Sequence, residues 1–253
     1  MKQIIIQNSS YYLFVIWHTL TSKRFTSLGY QTQQKPKAWM AWSSGKDSAW
    51  ALHTARYQNE VEIVGLMTTI TALYDRITMH GVRRSLLEAQ AEALGIPLVS
   101  VDIPTPCSMD DYDACMRNTL EIASAQGVTH IVFGDLFLQE LKESRERKLA
   151  TIGMQAVFPL WHSETSALAR EMIQGGLKAN LTCIDPRKIP VELAGHDFNQ
   201  DLLMKLPDTV DPCGENGEFH SFVWDMPLFD KPIRVQPGET VERDGFIFTD
   251  FYV

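Results

Sequence analysis

A chain of 253 residues holds one large domain, or one domain with a small appendage. Hydrophobic residues make up 45%, enough for a full core, yet no apolar run reaches the roughly 18 residues of a membrane-spanning helix, so no membrane partner is expected. The formal net charge of −8 speaks against a broad nucleic-acid surface. The four cysteines at 107, 115, 183 and 213 have no C-x-x-C spacing, which argues against zinc and for reduced thiols in a cytoplasmic protein.

Residues 1–36 differ in pattern from the rest of the chain. The apolar patches Ile4–Ile6 and Tyr11–Trp17 are separated by polar clusters, and Lys23 and Arg24 come after the second patch. A signal peptide places its charge first, so this segment reads as a disordered or non-core extension.

From residue 37 strands and helices alternate. Residues 38–42 read as a strand, 47–57 as a helix and 61–67 as a second strand. Residues 82–94 carry apolar positions at helical spacing and stop at Gly95, 97–101 form a third strand, and 110–126 a helix with acidic residues in its first turn. His130–Phe133 is a fourth strand, closed by Gly134-Asp135. Unbroken apolar runs suit strands buried on both faces, and βα units in series predict a parallel sheet with helices on both sides. Residues 142–148, a mixed charge run, read as a solvated helix face, although Arg145 or Arg147, following Asp135 closely, could reach phosphates bound at this rim.

The second half changes character. Residues 150–160 are short and mixed. Ser163 reads as the N-cap of a helix through Ile173 that Gly175-Gly176 stops, and 177–184 as a strand. Residues 207–218 are rich in turn formers, and 233–253 alternate as short strands or a hairpin around Asp244-Gly245. The expected organisation is therefore an α/β domain over 37–150 and a smaller substrate-facing α+β region over 151–253.

The chemistry concentrates in two places. The first is Ser43-Ser44-Gly45-Lys46-Asp47-Ser48, between the first strand and the first helix. Loop N–H groups and the positive end of the helix dipole converge there, Lys46 adds a charge, and three hydroxyls add donors without bulk. Such a loop suits phosphate. It is neither G-x-x-x-x-G-K-[ST] nor G-x-G-x-x-G. In parallel sheets ligands bind beyond the carboxyl ends of the strands, so Thr68–Met79 and Gly134-Asp135 share the loop's rim. His80 comes directly after the first of these segments, with nucleotide contact and capping duty equally open.

The second place is Cys213-Gly214-Glu215-Asn216-Gly217-Glu218-Phe219-His220-Ser221. Two glycines permit a tight path, Glu215 and Glu218 put carboxylates three residues apart, and His220 can donate, accept or take a proton. Taken alone the segment also fits an exposed acidic turn.

The first loop resembles the S-G-G-K-D-S loop of enzymes that cleave ATP between its α- and β-phosphates, with Ser44 in place of a glycine. Serine fits there only at negative φ or where a Cβ has room. The two segments together, with Phe133-Gly134-Asp135, Pro159-Leu160-Trp161 and Pro227-Leu228-Phe229, resemble the diphthine–ammonia ligase family over roughly residues 37–229. The resemblance implies a five-stranded parallel sheet of the adenine nucleotide α-hydrolase type, Rossmann-like in its layers. It also implies an ATP-dependent ligase that adenylates a carboxylate, releases pyrophosphate and amidates the acid with ammonia. The implied cofactors are ATP and Mg²⁺; the implied partners are ammonia and a carboxylate-bearing substrate, protein-bound or small, and a homodimer is compatible with it.

On that reading the candidate catalytic residues are Lys46, Asp47, Asp135, Glu215, Glu218 and His220. Ser43, Ser44, Gly45, Lys46, Asp47, Ser48, Met67, Thr68, Gly134 and Gly214 are candidates for nucleotide contact, and Asp47 for the metal. Two other readings stand beside it: a sulfur-transfer enzyme using Cys213 as nucleophile, and a non-catalytic nucleotide-binding module.

Overall fold

The computed structural model describes residues 34–77 and 80–253. The extension expected over 1–36 lies, apart from its last three residues, outside the described residues.

Strand β1 (Lys37–Ala41) explains the layering. Successive side chains of a strand point to opposite faces. Ala38 and Met40 enter one core with Ala49, Leu52, Leu86 and Leu87, whereas Trp39 enters a second with Leu120, Ala123 and Leu149. The first group comes from helices α1 (Lys46–Gln58) and α2 (Arg84–Leu94), the second from α3 (Met109–Ala125) and α4 (Gln139–Ala150). Helices therefore cover both faces, as the apolar strands required.

The parallel strands are β1, β2 (Glu62–Thr71), β4 (Leu98–Ile103), β5 (Val128–Val132) and β6 (Gln155–Val157), in the order β4-β2-β1-β5-β6. The predicted five-stranded parallel sheet is present. A two-residue strand, β3 (Arg76–Ile77), adds an antiparallel pair to the far end of β2, which runs on past the end of β1. The chain winds outward from β1 through β2 to β4, then returns to β5 on the other side of β1. That reversal places a crevice between the carboxyl ends of β1 and β5.

The second sheet is antiparallel, in the order β8-β7-β10-β9. It contains β7 (Lys178–Ile184), β8 (Phe219–Asp225), β9 (Gln236–Arg243) and β10 (Phe246–Tyr252). The β9–β10 hairpin turns at Asp244 and Gly245, both at positive φ. Helices α5 (Thr165–Gln174) and α6 (Gln200–Lys205) complete this region. Residues 35–253 form one compact unit. Among the described residues no helix is long and apolar enough to cross a membrane.

The cap of α5 corrects the sequence reading. Glu164, not Ser163, is the N-cap: its two carboxylate oxygens accept from the N–H groups of Ser166 (3.0 Å) and Ala167 (2.7 Å). The longer side chain satisfies two orphan donors where a serine satisfies one.

Candidate functional site

The loop between β1 and α1 is braced by its own hydroxyls. Ser48 Oγ donates to the Gly45 carbonyl (3.0 Å) and accepts from Ser43 N–H (3.3 Å), while Ser43 Oγ lies 3.1 Å from it. Ser44 sits at φ +68°, fully buried, its hydroxyl without a hydrogen-bond partner among the described residues. The negative-φ condition attached to this position therefore fails. The serine occupies the left-handed region that glycine favours, at a cost of about 1–3 kcal/mol that the surroundings must offset.

Those surroundings come from the other end of the chain. The Ser44 carbonyl accepts from Val223 N–H (2.9 Å) on β8 and from Gln90 Nε2 (3.1 Å) on α2. Gln90 Nε2 also donates to the Val223 carbonyl (2.6 Å), and Gln90 Oε1 accepts from Trp42 Nε1 (2.8 Å). Ser221 Oγ accepts from Lys46 N–H (3.2 Å), capping α1 from outside the loop. The two segments singled out in the sequence are thus one structural unit, 175 residues apart in the chain.

Lys46 lies at the centre of that unit and is 2% exposed. Its ammonium pairs with Asp47 Oδ2 (2.8 Å) and Oδ1 (3.1 Å), donates to the Cys213 carbonyl and sits 5.0 Å from the Phe219 ring. Burial works to lower its pKa, but the Asp47 carboxylate leads the attractions that outweigh burial, so the ammonium is retained. Asp47 keeps 29% of its side chain exposed.

The late segment folds around Asp211, whose Oδ1 accepts from the N–H groups of Cys213 (2.9 Å) and Glu215 (3.2 Å). Gly214, at φ +68°, lies so close to Phe219 that a Cβ would meet its carbonyl oxygen at 2.9 Å. Glu215 Oε1 accepts from Leu136 N–H (3.0 Å), which ties the segment to the loop after β5. Burial, followed by the Asp47 and Asp135 carboxylates and opposed by the Leu136 bond and Lys46, pushes Glu215 up to about 7. Glu218 is buried; it accepts from Asn216 Nδ2 (3.2 Å) and Asp211 N–H (3.4 Å), and its other oxygen has no partner among the described residues.

His220 packs against His80 with ring centroids 4.3 Å apart and the rings tilted by 39°. Burial, then the Lys46 charge, holds His220 down at about 4; burial and its neighbours hold His80 well below the usual histidine range. Both imidazoles are neutral at pH 7. His80 thus belongs to the site rather than to a cap.

The loop after β5 abuts α1. A Cβ on Gly134 would fall 2.8 Å from the Asp47 carbonyl carbon, so only glycine allows this approach. Asp135 is ion-paired with Arg145 (2.8 Å). Arg145 belongs to α4, the helix formed by the charge run, while Arg147 pairs with Glu143 (3.7 Å) on the exposed face.

A cavity of about 480 Å³ opens at the crevice, lined by Ser43, Met67, Thr68, Phe133 and Arg145 among others. That is within the usual size of a small-molecule pocket. Met67 and Thr68, singled out for nucleotide contact, are buried in its wall, and the Thr68 hydroxyl lacks a partner among the described residues. Among the described residues no cluster of three or more His, Cys, Asp or Glu side chains forms a metal cage.

Two features corrected or escaped the sequence reading. Cys213 is 1% exposed and burial pushes its thiol up, which weighs against the thiolate that sulfur transfer requires. Gln90, which joins both motifs, had a signal that went unread: it is a polar residue on the buried stripe of α2, beside Leu86, Leu87, Ala91 and Leu94.

Comparison with known proteins agrees with this assembly. Residues 36–156 match the family model of the diphthamide synthase N-terminal domain, and residues 164–250 that of its C-terminal domain. A diphthine–ammonia ligase of Danio rerio is 27% identical over 172 residues, covering 60% of this chain and 65% of the relative. Diphthine–ammonia ligases of Bos taurus and Homo sapiens are each 25% identical, covering 70% of both chains. The chain therefore spans about two thirds of the length of these relatives.

Proposed function

This chain belongs to the diphthamide synthase family, and on that premise we propose that it is an ATP-dependent, AMP-forming ligase that joins ammonia to a carboxylic acid. The observation that carries the reading is the union of the Ser43–Ser48 loop with the Cys213–Ser221 segment through Lys46, Ser221 and the Ser44 carbonyl.

In the first step a carboxylate oxygen of the acid attacks the α-phosphorus of ATP. A carbon-bound oxygen–phosphorus bond forms, the bond from the α-phosphorus to the bridging oxygen breaks, and pyrophosphate leaves with the electron pair. Lys46, the loop N–H groups and the positive end of α1 suit the charge that develops on pyrophosphate. Met67, Thr68 and Ser43 border the nucleoside. In the second step the ammonia nitrogen attacks the acyl carbon, the bond to AMP breaks, and AMP leaves with that pair. The nitrogen gives up one proton, and Glu215, with its pKa near 7, is suited to take it.

The donor set fits a divalent ion shared with the phosphates, because Mg²⁺ is ordinarily held by one or two carboxylates plus substrate oxygens. Asp47 would hold it, being part-exposed beside the loop. When bound, Mg²⁺ neutralises charge on the departing pyrophosphate. Gly134 and Gly214 act through the close backbone approaches described above, and Glu218 by ordering the late segment.

Phosphorus NMR of ATP incubated with the protein, Mg²⁺, ammonium and a panel of carboxylic acids tests this function. AMP and pyrophosphate should accumulate with one of the acids. Release of ADP and phosphate instead would overturn the proposal.

A further inference from the structure

The ligase reading gives no task to the three cationic side chains that line the cavity, Arg117, Arg145 and Lys148, and of these Arg145 is the one braced by the loop after β5. Arg145 lines the cavity together with Ser43, Met67 and Thr68. Its guanidinium is fixed from two sides. Asp135 Oδ1 accepts from Nη2 (3.1 Å) and Asp135 Oδ2 lies 2.8 Å from Nε as an ion pair without hydrogen-bond geometry, and the Phe133 ring lies beneath with its centroid 4.3 Å from the guanidinium carbon. Asp135 and Phe133 both sit immediately after β5, on the crevice side of the parallel sheet. Arginine on a helix surface ordinarily samples many rotamers, and this one is held in one. Nη1 takes no part in these contacts and forms no hydrogen bond among the described residues, so its two N–H donors remain for a ligand.

The pairing also separates Arg145 from its neighbours in the charge run. Lys142 and Arg147 make the i,i+4 contacts of an exposed helix, to Glu146 (3.8 Å) and Glu143 (3.7 Å). Lys148, the last residue of the run, also lines the cavity but is ion-paired with Asp113 (2.6 Å), whereas Arg145 is paired with the loop after β5. Asp135 is 12% exposed, and its carboxylate is turned to the guanidinium of Arg145.

We infer that Arg145 binds the phosphate that AMP retains, and that Asp135 is its positioning residue rather than a catalytic one. This rests on the ligase reading for the identity of the nucleotide. It divides the phosphate chain between two cations: Lys46 and the loop take the pyrophosphate portion, and Arg145, 2.8 Å from its carboxylate, takes the portion left on the nucleoside. Its free fork edge suits a phosphate better than a lysine's point charge.

Calorimetric titration of ATP, AMP and inorganic pyrophosphate into the purified protein separates the two portions. Arg145→Ala should weaken AMP and ATP on the order of 10- to 100-fold, as expected for loss of a charged hydrogen bond, and leave pyrophosphate unchanged. Arg145→Lys should recover part of the loss. Asp135→Asn keeps the shape but frees the guanidinium, and should weaken AMP less than Arg145→Ala does while raising KM for ATP more than it lowers kcat. Melting curves of all three variants identify any that has failed to fold, and Arg145→Lys keeps the test valid if Arg145→Ala is one. Unchanged AMP binding in a folded Arg145→Ala or Arg145→Lys variant, or equal losses for AMP and pyrophosphate, would overturn the assignment while leaving the ligase reading intact. A wild-type protein that binds neither ATP nor AMP would overturn both.

Discussion

The Ser43–Ser48 loop and the Cys213–Ser221 segment reach their order by different routes. The loop's serines brace one another, but its strained residue and its first helical N–H are satisfied only by Gln90, Val223 and Ser221. The late segment is held by its neighbours in the chain and by β7: Asp211, just before it, accepts two of its backbone N–H groups, Asn216 donates to Glu218, and the Asp185 N–H donates to the Glu218 carbonyl (2.8 Å) beyond the end of β7. Its outward contacts then serve the loop. The difference teaches that the phosphate loop is not a self-contained motif in this protein. A loop with serine at a left-handed position needs a partner strand, and β8 supplies it.

The comparison can be sharpened first at Glu215, where the largest effect is expected. A carboxyl pushed up to about 7 in the folded state, from an ordinary value of 4.5, favours folding when protonated. Its contribution is fully present below pH 4.5 and is lost as pH rises through about 7. Wild-type stability should therefore fall across that window, by roughly 2 kcal/mol after allowance for partial exposure. Glu215→Gln should flatten the decline in denaturant melts at a series of pH values. An unaltered slope would show that the late segment does not bury this charge.

Ser221→Ala probes the cap that the segment lends to the loop. Loss of an N-cap oxygen costs about 1 kcal/mol, so the melting temperature should drop by only a few degrees. If the cap orders the loop, KM for ATP should rise at the same time. A stability loss with KM unchanged would make Ser221 a structural brace alone.

Much of this was legible in the sequence because it is local. The strands β1, β2, β4 and β5 are short apolar runs, and their helices carry 3.6-residue periodicity, so the parallel sheet and its loop-bearing rim could be derived. The crevice could be derived too, since the rim is fixed by strand direction. What was not legible depends on contacts between distant segments. Nothing near Ser44 in the chain announces that Val223 will accept its strain. The charge run already offered Arg145 and Arg147 near Asp135, but which of the two meets its carboxylate is decided by how α4 leaves the loop after β5. The N-cap at Glu164 was missed for a different reason: Ser163 is the commoner capping residue, and only the backbone path decides which of two adjacent side chains reaches the orphan N–H groups. The late segment illustrates the limit well, because its glycines and carboxylates fitted an exposed acidic turn until β8 placed them against Lys46.

The central claim is that Lys46, held between the two segments, stabilises departing pyrophosphate during adenylation. Exchange of labelled pyrophosphate into ATP, run without ammonia across the acid panel, measures that step alone. The account predicts acid-dependent exchange in the wild type and a loss on the order of 10²–10³ in Lys46→Ala, with far less change in melting temperature. Exchange that survives in Lys46→Ala, or a loss of exchange that merely tracks a loss of folding, would contradict it.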